Sequence, residues 1–496
     1  MLAFFAGGYF DGPRAVAGAV AWAVVLMLAV AGPVPLPRST PGRLAVIGLA
    51  ALIAWSVASF AWAPLAGLVS DSVQRLLLYL AALLAAVGLL RDRRATAIVE
   101  PALALGCVAV IGYGLSERLF PSLIDLHGSF IAGGRLEQPL TYWNAEGLLA
   151  AIGLILCVRI SGQDVRPPRL RVAAAAACPL LGTGVYLSYS RGALVAVGIG
   201  LIVLLAAVPH WSQLRATALA LAVGAVPSAC AAALPGVAAL RGTDAARTRD
   251  GLVMLAVLAL ATAAAALVSS RVVARERRGA LRGGRLPIAD RLPALAGIAA
   301  AVCIAGLVLA GLEERAASSE RGEPTPSRFV SISSRRYEYW RVAVESIARE
   351  PVLGIGAGAF RVTWRKERRV PDPVNEVHSL ELEMATELGL PGLLALVLVL
   401  GGIALAARRA LIARAPLAAG ACAVSSAWLL HASIDWDWQM PAVTLPVLVL
   451  VGGLLAASEA QAPPPALAES APADGPEARP LVAVPASISP GSPGSG

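Results

Sequence analysis

Lysine is almost missing from this chain, and charge of either sign is scarce. Of 496 residues only Lys366 is a lysine, and Asp, Glu, Lys and Arg together make up 15%. Soluble globular domains carry about 25% charged residues and about 45–50% apolar ones. Here the hydrophobic share is 57% and the mean hydropathy is +0.71. That imbalance excludes an ordinary water-soluble enzyme and any disordered or fibrous class. Cysteine is also sparse. Cys107, Cys157, Cys178, Cys230, Cys303 and Cys422 all fall inside apolar runs, with no CxxC spacing and no nearby His. They read as small buried hydrophobes, so neither a disulfide framework nor a metal site is expected. The first residues, MLAFFAGGYFDGPR, lack the basic stretch of a secretory signal, so the first apolar run is expected to persist as a membrane helix.

What the chain has instead is a series of apolar runs. They lie near 15–35, 44–63, 76–90, 97–115, 145–160, 171–188, 193–209, 216–235, 251–269, 292–312, 388–407, 416–432 and 440–457. A helix of about 20 such residues crosses a hydrocarbon core. The expected fold class is all-α: a polytopic integral membrane protein of 12–13 transmembrane helices with a large extracytoplasmic loop. Residues 1–312 form the N-terminal part of the bundle and 313–380 the large loop with its amphipathic helix. Residues 381–457 supply the C-terminal spans, and 458–496 a disordered Pro/Ala/Ser/Gly-rich tail.

The net charge of +9 is arginine, concentrated in short loops between runs, where it orients helices rather than binding nucleic acid. Arg91, Arg93 and Arg94, then Arg159, Arg166, Arg169 and Arg171, then the group from Arg271 to Arg285, then Arg408, Arg409 and Arg414 all follow odd-numbered runs. This places odd loops and the tail in the cytoplasm. The N-terminus and the long connections at 116–143 and 313–380 are then outside.

Candidate chemistry lies in three stretches of the long loop and in three segments at the ends of apolar runs. In SSRRYEYWRVAVESIARE, Trp340, Val344 and Ile347 recur at helical spacing, with Ser333 or Ser334 as a cap and Pro351 as the stop. Arg335 and Arg336 then stand beside unsatisfied N–H groups at a helix start, an arrangement suited to an anion. The glycines 354, 356 and 358 of PVLGIGAGAF read as a tight backbone turn rather than a nucleotide fingerprint, since no strand–helix unit surrounds them. His378 precedes an amphipathic stretch that also holds Glu387. Two readings fit it: a general base, or an interfacial side chain whose polar tip reaches water.

Arg191 sits between two apolar runs with almost no loop, either snorkelling or facing the interior for a function. GGRLEQPLTYWNAEGLLAA brings Arg135, Tyr142, Trp143, Asn144 and Glu146 to the start of the fifth run. The two aromatics there fit interface anchors. In LLHASIDWDWQMPA, the carboxylates of Asp435 and Asp437, flanked by tryptophans and close to His431, fit either sugar hydroxyls or a solvated turn.

Taken together, YWNAEG at 142–147, SRGAL at 190–194, RYEYWRVAVESIAREPVLGIGAGAF at 336–360 and HSLELEMATELGLPG at 378–392 resemble the O-antigen ligase family of membrane glycosyltransferases. That family includes polysaccharide polymerases and protein O-oligosaccharyltransferases, and the resemblance covers roughly residues 15–457. It implies metal-independent, inverting transfer of a glycan from a polyprenyl diphosphate-linked oligosaccharide to a glycan, lipid or protein acceptor, outside the cytoplasmic membrane and with no cofactor. On this chain it implies catalytic roles for His378, Arg191 and Arg336. Arg335, Arg135, Asn144, Glu387 and Asp435 are the expected substrate-binding residues. The competing reading is a polytopic solute transporter, for which Pro179 and Pro227 interrupt two spans but no internal repeat is evident.

Overall fold

The computed structural model describes residues 1–461 apart from 33, 289, 292–293, 295–296 and 298–335. Among the described residues there is no β-strand. Among the described residues, nine helices are long and apolar enough to cross a membrane. They are α1 (Asp11–Ala31), α2 (Thr40–Ala58), α3 (Ala66–Leu89), α4 (Arg93–Leu119), α5 (Trp143–Gly162), α6 (Pro168–Leu187), α8 (Trp211–Ala232), α9 (Asp244–Arg277) and α12 (Leu380–Ile412). Three shorter apolar helices join them: α7 (Arg191–Ala207), α13 (Ala418–Ala432) and α14 (Pro441–Ala457). The chain is thus a multi-pass helical membrane protein. Each of these twelve helices falls on one expected run, in order. The expected run at 292–312 lies outside the described residues, as do 313–335, the tail from 462 onward, Cys303, Ser333, Ser334 and Arg335. Residues 458–461, expected to begin the tail, instead form a 3-10 turn, pinned by Arg91 against Glu459 at 2.8 Å.

Helix α5 is the hub. Its apolar window is wholly buried, whereas only 17% of the α1 window is, so α1 borders the bundle. The sequence GLLAAIGLILCV is apolar all round, as a helix surrounded by others requires. Its small residues set the spacing. A Cβ added at Gly153 would stand 2.6 Å from the Cys107 side chain, so only glycine lets α4 come this close.

Helix α12 is broken near its start. Gly389 has φ +60° and ψ −154°, and Pro391 follows. Proline has no N–H for the Glu387 carbonyl, and the break turns Leu390 N–H away to the Pro351 carbonyl at 3.0 Å. Two carbonyls of buried residues are thereby orphaned, which is costly unless other groups donate. The glycine segment supplies the donors: Ile355 N–H reaches the Thr386 carbonyl at 3.0 Å and Gly356 N–H the Glu387 carbonyl at 2.8 Å. Trp55 on α2 adds a bond to the Leu388 carbonyl at 2.8 Å. Gly354, Gly356 and Gly358 all have positive φ (71°, 100° and 71°), so this is the tight turn that the sequence suggests, docked on a broken helix.

Above that break, α10 (Arg336–Arg349) and α11 (Phe360–Glu367) close a small apolar cluster of Tyr339, Val342, Ala343, Phe360, Trp364 and Val377. The buried face of α10 is Tyr339, Val342, Ala343 and Ser346, not the stripe expected through Trp340, Val344 and Ile347. Trp340 and Ile347 are half-buried at its flank, while Val344 is 54% exposed. The small residues explain the rotation. Ser346 turns its hydroxyl onto the Val342 carbonyl, and Ala343 lets Thr386 of α12 reach its own carbonyl at 3.4 Å.

Candidate functional site

At one end of the bundle, four stretches far apart in sequence meet at Asp435. The residue follows α13, in a short loop before the 3-10 turn Asp437–Gln439. One carboxylate oxygen accepts the Tyr142 hydroxyl at 2.6 Å; the other accepts Asn144 Nδ2 at 2.8 Å and an Arg336 Nη at 2.6 Å. Tyr142 immediately precedes α5 and Asn144 lies in its first turn, while Arg336 is the first described residue of α10. Burial alone would raise the Asp435 carboxyl. The charges of Arg336, His378 and His431 offset this and hold it below the ordinary aspartate value. Arg336 is the mirror case: burial disfavours its charge, and Asp435 more than restores it.

His378 stands beside this pair. Its ring packs 5.1 Å from Tyr339 and 6.5 Å from Trp436. Its backbone has φ +60°, an uncommon state for a non-glycine residue, at the position before Ser379, which caps α12 through a bond from Leu382 N–H. The ring Nδ1 lies 3.0 Å from the Glu376 carbonyl. A carbonyl only accepts, so Nδ1 carries the hydrogen and Nε2 keeps a lone pair. Burial is the largest influence on this ring and lowers its pKa. Asp435 works against that shift and Arg336 with it.

Other sequence candidates take different places. Arg191 opens α7, half-buried, behind the capping hydroxyl of Ser190. The next residue, Gly192, is pressed against His431, whose Nδ1 is hydrogen-bonded to buried Asp437. Arg191 therefore emerges at the same end of the bundle, beside the His431–Asp437 pair. Arg135 lies with its guanidinium 4.6 Å from the Trp143 ring, and burial lowers its pKa. Glu146 is wholly buried against Gly114 of α4. Glu387 does not face Asp435: its two oxygens accept Gly358 N–H at 2.7 Å and Phe360 N–H at 3.1 Å, so the structure assigns this carboxylate to holding the glycine turn.

Some participants carry no readable sequence signal. Tyr9, from the N-terminal segment, donates its hydroxyl to Glu376 at 3.1 Å, and Arg361 of α11 approaches the same oxygen at 3.3 Å. The Tyr9 ring also meets Trp436 edge-on at 5.4 Å. Burial, then the nearby Glu376 charge, pushes the Tyr9 hydroxyl up to about 12, so it stays a donor at neutral pH. Nothing in MLAFFAGGYF sets that tyrosine apart from an interface anchor.

The fold is that of a polytopic helical membrane protein with Arg, His and Asp side chains gathered at one end of the bundle. Residues 247–397 match the family described as O-Antigen ligase, a segment that includes most of α9, Arg336, His378 and the break in α12. That segment is similar to an O-antigen ligase domain. No curated protein matches the chain.

Proposed function

We propose that the chain transfers a glycan from a polyprenyl diphosphate-linked oligosaccharide to an acceptor hydroxyl at the extracytoplasmic face of the cytoplasmic membrane. The observation that carries this reading is the meeting of Arg336, Asn144 and Tyr142 on Asp435 with His378 alongside. The acceptor oxygen attacks the anomeric carbon as its proton passes to His378 Nε2. The bond from that carbon to the phosphate oxygen breaks, and its electron pair stays on the diphosphate. Attack opposite the leaving group inverts the anomeric centre. Arg336 and Arg191 hold the diphosphate and stabilise its growing charge. Asp435 fixes the fork of Arg336, and Asn144 and Tyr142 complete its coordination. Arg135 and Arg335 lie on stretches that flank this centre in sequence.

Sidedness is supported by arginine placement. Arg159, Arg166 and Arg171 lie at the far ends of α5 and α6 from Asp435, the end expected to be cytoplasmic. In the same reading, 313–380 is an extracytoplasmic loop between two groups of spans, and the residues after 461 are a tail. The test uses full-length protein in nanodiscs with a polyprenyl diphosphate-linked oligosaccharide and a chelator, and follows release of polyprenyl diphosphate. Chelator-resistant release that requires an acceptor and is lost in His378→Ala and Arg191→Ala is expected. No release with any acceptor, together with solute uptake into vesicles that survives His378→Ala, would move the protein to the transporters.

A further inference from the structure

A second polar constellation lies at the other end of α5. That helix has 20 residues, about 30 Å at 1.5 Å per residue, so its first turn at Asp435 and its last turn at Ser161 lie a membrane thickness apart. Between the last turn of α5, the first turns of α6 and α8 and the C-terminal half of α9 there is a small open cleft. Its polar lining is Arg171, Arg215, Ser161, Ser212 and Ser269.

The arginines are built in rather than draped on the surface. Arg171 is 4% exposed and donates to the Ser161 carbonyl at 2.8 Å and to one Glu276 oxygen at 2.7 Å. Arg215 donates to the other Glu276 oxygen at 2.5 Å and to the Arg282 carbonyl at 2.8 Å. Two guanidiniums share one carboxylate, which leaves one net positive charge in a largely desolvated place. The hydroxyls of Ser161, Ser212 and Ser269 make no hydrogen bond among the described residues, so three donors face the cleft unused. Leu219 and Val272 make the remaining wall apolar.

We propose that this cleft binds a phosphate anion carried by a membrane lipid headgroup. Donors and net positive charge select an anion over a cation or a neutral sugar. The apolar wall, set between membrane helices, suits the hydrocarbon that begins just beyond a lipid phosphate and offers nothing to a free ion. Glycosyl transfer at Asp435 is not needed for this binding, and the two fail or stand separately.

The test is native mass spectrometry of the full chain released from nanodiscs of mixed phosphatidylglycerol and phosphatidylcholine, beside a titration with inorganic phosphate in neutral detergent. One tightly retained phosphatidylglycerol is expected. Ser269→Leu fills the cleft without touching the Arg171–Glu276–Arg215 group, and Ser212→Ala removes a single donor without adding bulk. Each is expected to weaken retention, Ser269→Leu by about tenfold or more, the loss of one or two charge-assisted hydrogen bonds. Phosphate binding with the same variant dependence, but no lipid retention, would overturn the assignment to a lipid. Retention unchanged in both variants, or no binding in either arm, would overturn the site itself.

Discussion

Arg336 and Asp435 meet at 2.6 Å although 99 residues separate them in the chain. One lies on α10, a helix too short to cross a membrane, and the other in a loop between the last two helices, so the pair ties α10 to the bundle. Asp435→Asn keeps the shape and removes the charge. The expected result is a fall in transfer rate of about 10²-fold, comparable to losing one preorganised donor. Arg336→Lys keeps the charge but not the fork, and a similar loss is expected. A double-mutant cycle on the rate reads the coupling directly; independent effects of the two changes would mean the pair does not act as a unit.

The pH profile carries a sign that distinguishes the neighbours of His378. Because burial lowers this imidazole's pKa, its neutral form persists below the ordinary histidine range, and the acid limb of the transfer rate should fall below pH ~6.5. Asp435 raises that pKa and Arg336 lowers it. Asp435→Asn should therefore move the limb to lower pH, and Arg336→Gln to higher pH. The linkage runs the same way for stability. The unfolded chain binds this proton more readily than the fold, so stability from this group is present above the ordinary histidine pKa and declines as pH falls through it.

Tyr9→Phe removes the hydroxyl bond to Glu376, the residue whose carbonyl fixes the His378 ring. A net hydrogen bond is worth about 1 kcal/mol, so a roughly fivefold drop in kcat is expected. Tyr9 here acts as a positioning residue, and KM for the donor should not change. A change confined to KM, or to melting temperature, would show that the contact only anchors the N-terminal segment.

Gly356→Ala tests the docking of the glycine turn. The position has φ +100°, and an added Cβ would stand 2.6–2.7 Å from Ala63. A cost of about 1–3 kcal/mol is expected from overpacking and strain. It should appear as a lower melting temperature in detergent. A second case is Gly192→Ala, where the Cβ would lie 2.8 Å from His431 Nε2, beside Arg191. There transfer activity is expected to fall further than stability does.

Some of this was legible because the signal is local. A run such as GLLAAIGLILCV has one use in a protein, and each described membrane helix falls on such a run. Proline beside glycine in ELGLPG marks a break, and three glycines at alternate positions mark a turn. Arg336 was readable from its place at a helix start, His378 from its place before an amphipathic stretch, and Asn144 and Asp435 from the ends of apolar runs.

The rest depends on which faces meet. Glu387 and Asp435 look alike in sequence, yet one carboxylate accepts the amides of a turn and the other accepts Arg336, Asn144 and Tyr142. The turn itself is fixed by carbonyls that a break in another helix leaves without donors. Tyr9 reaches the site only because the N-terminal segment folds back over the end of the bundle, to a partner 367 positions away. Hydropathy and helical period act over a few residues and determine the elements of this protein. Pairing of buried polar groups acts across the whole chain, and only the packed structure decides which donor meets which acceptor.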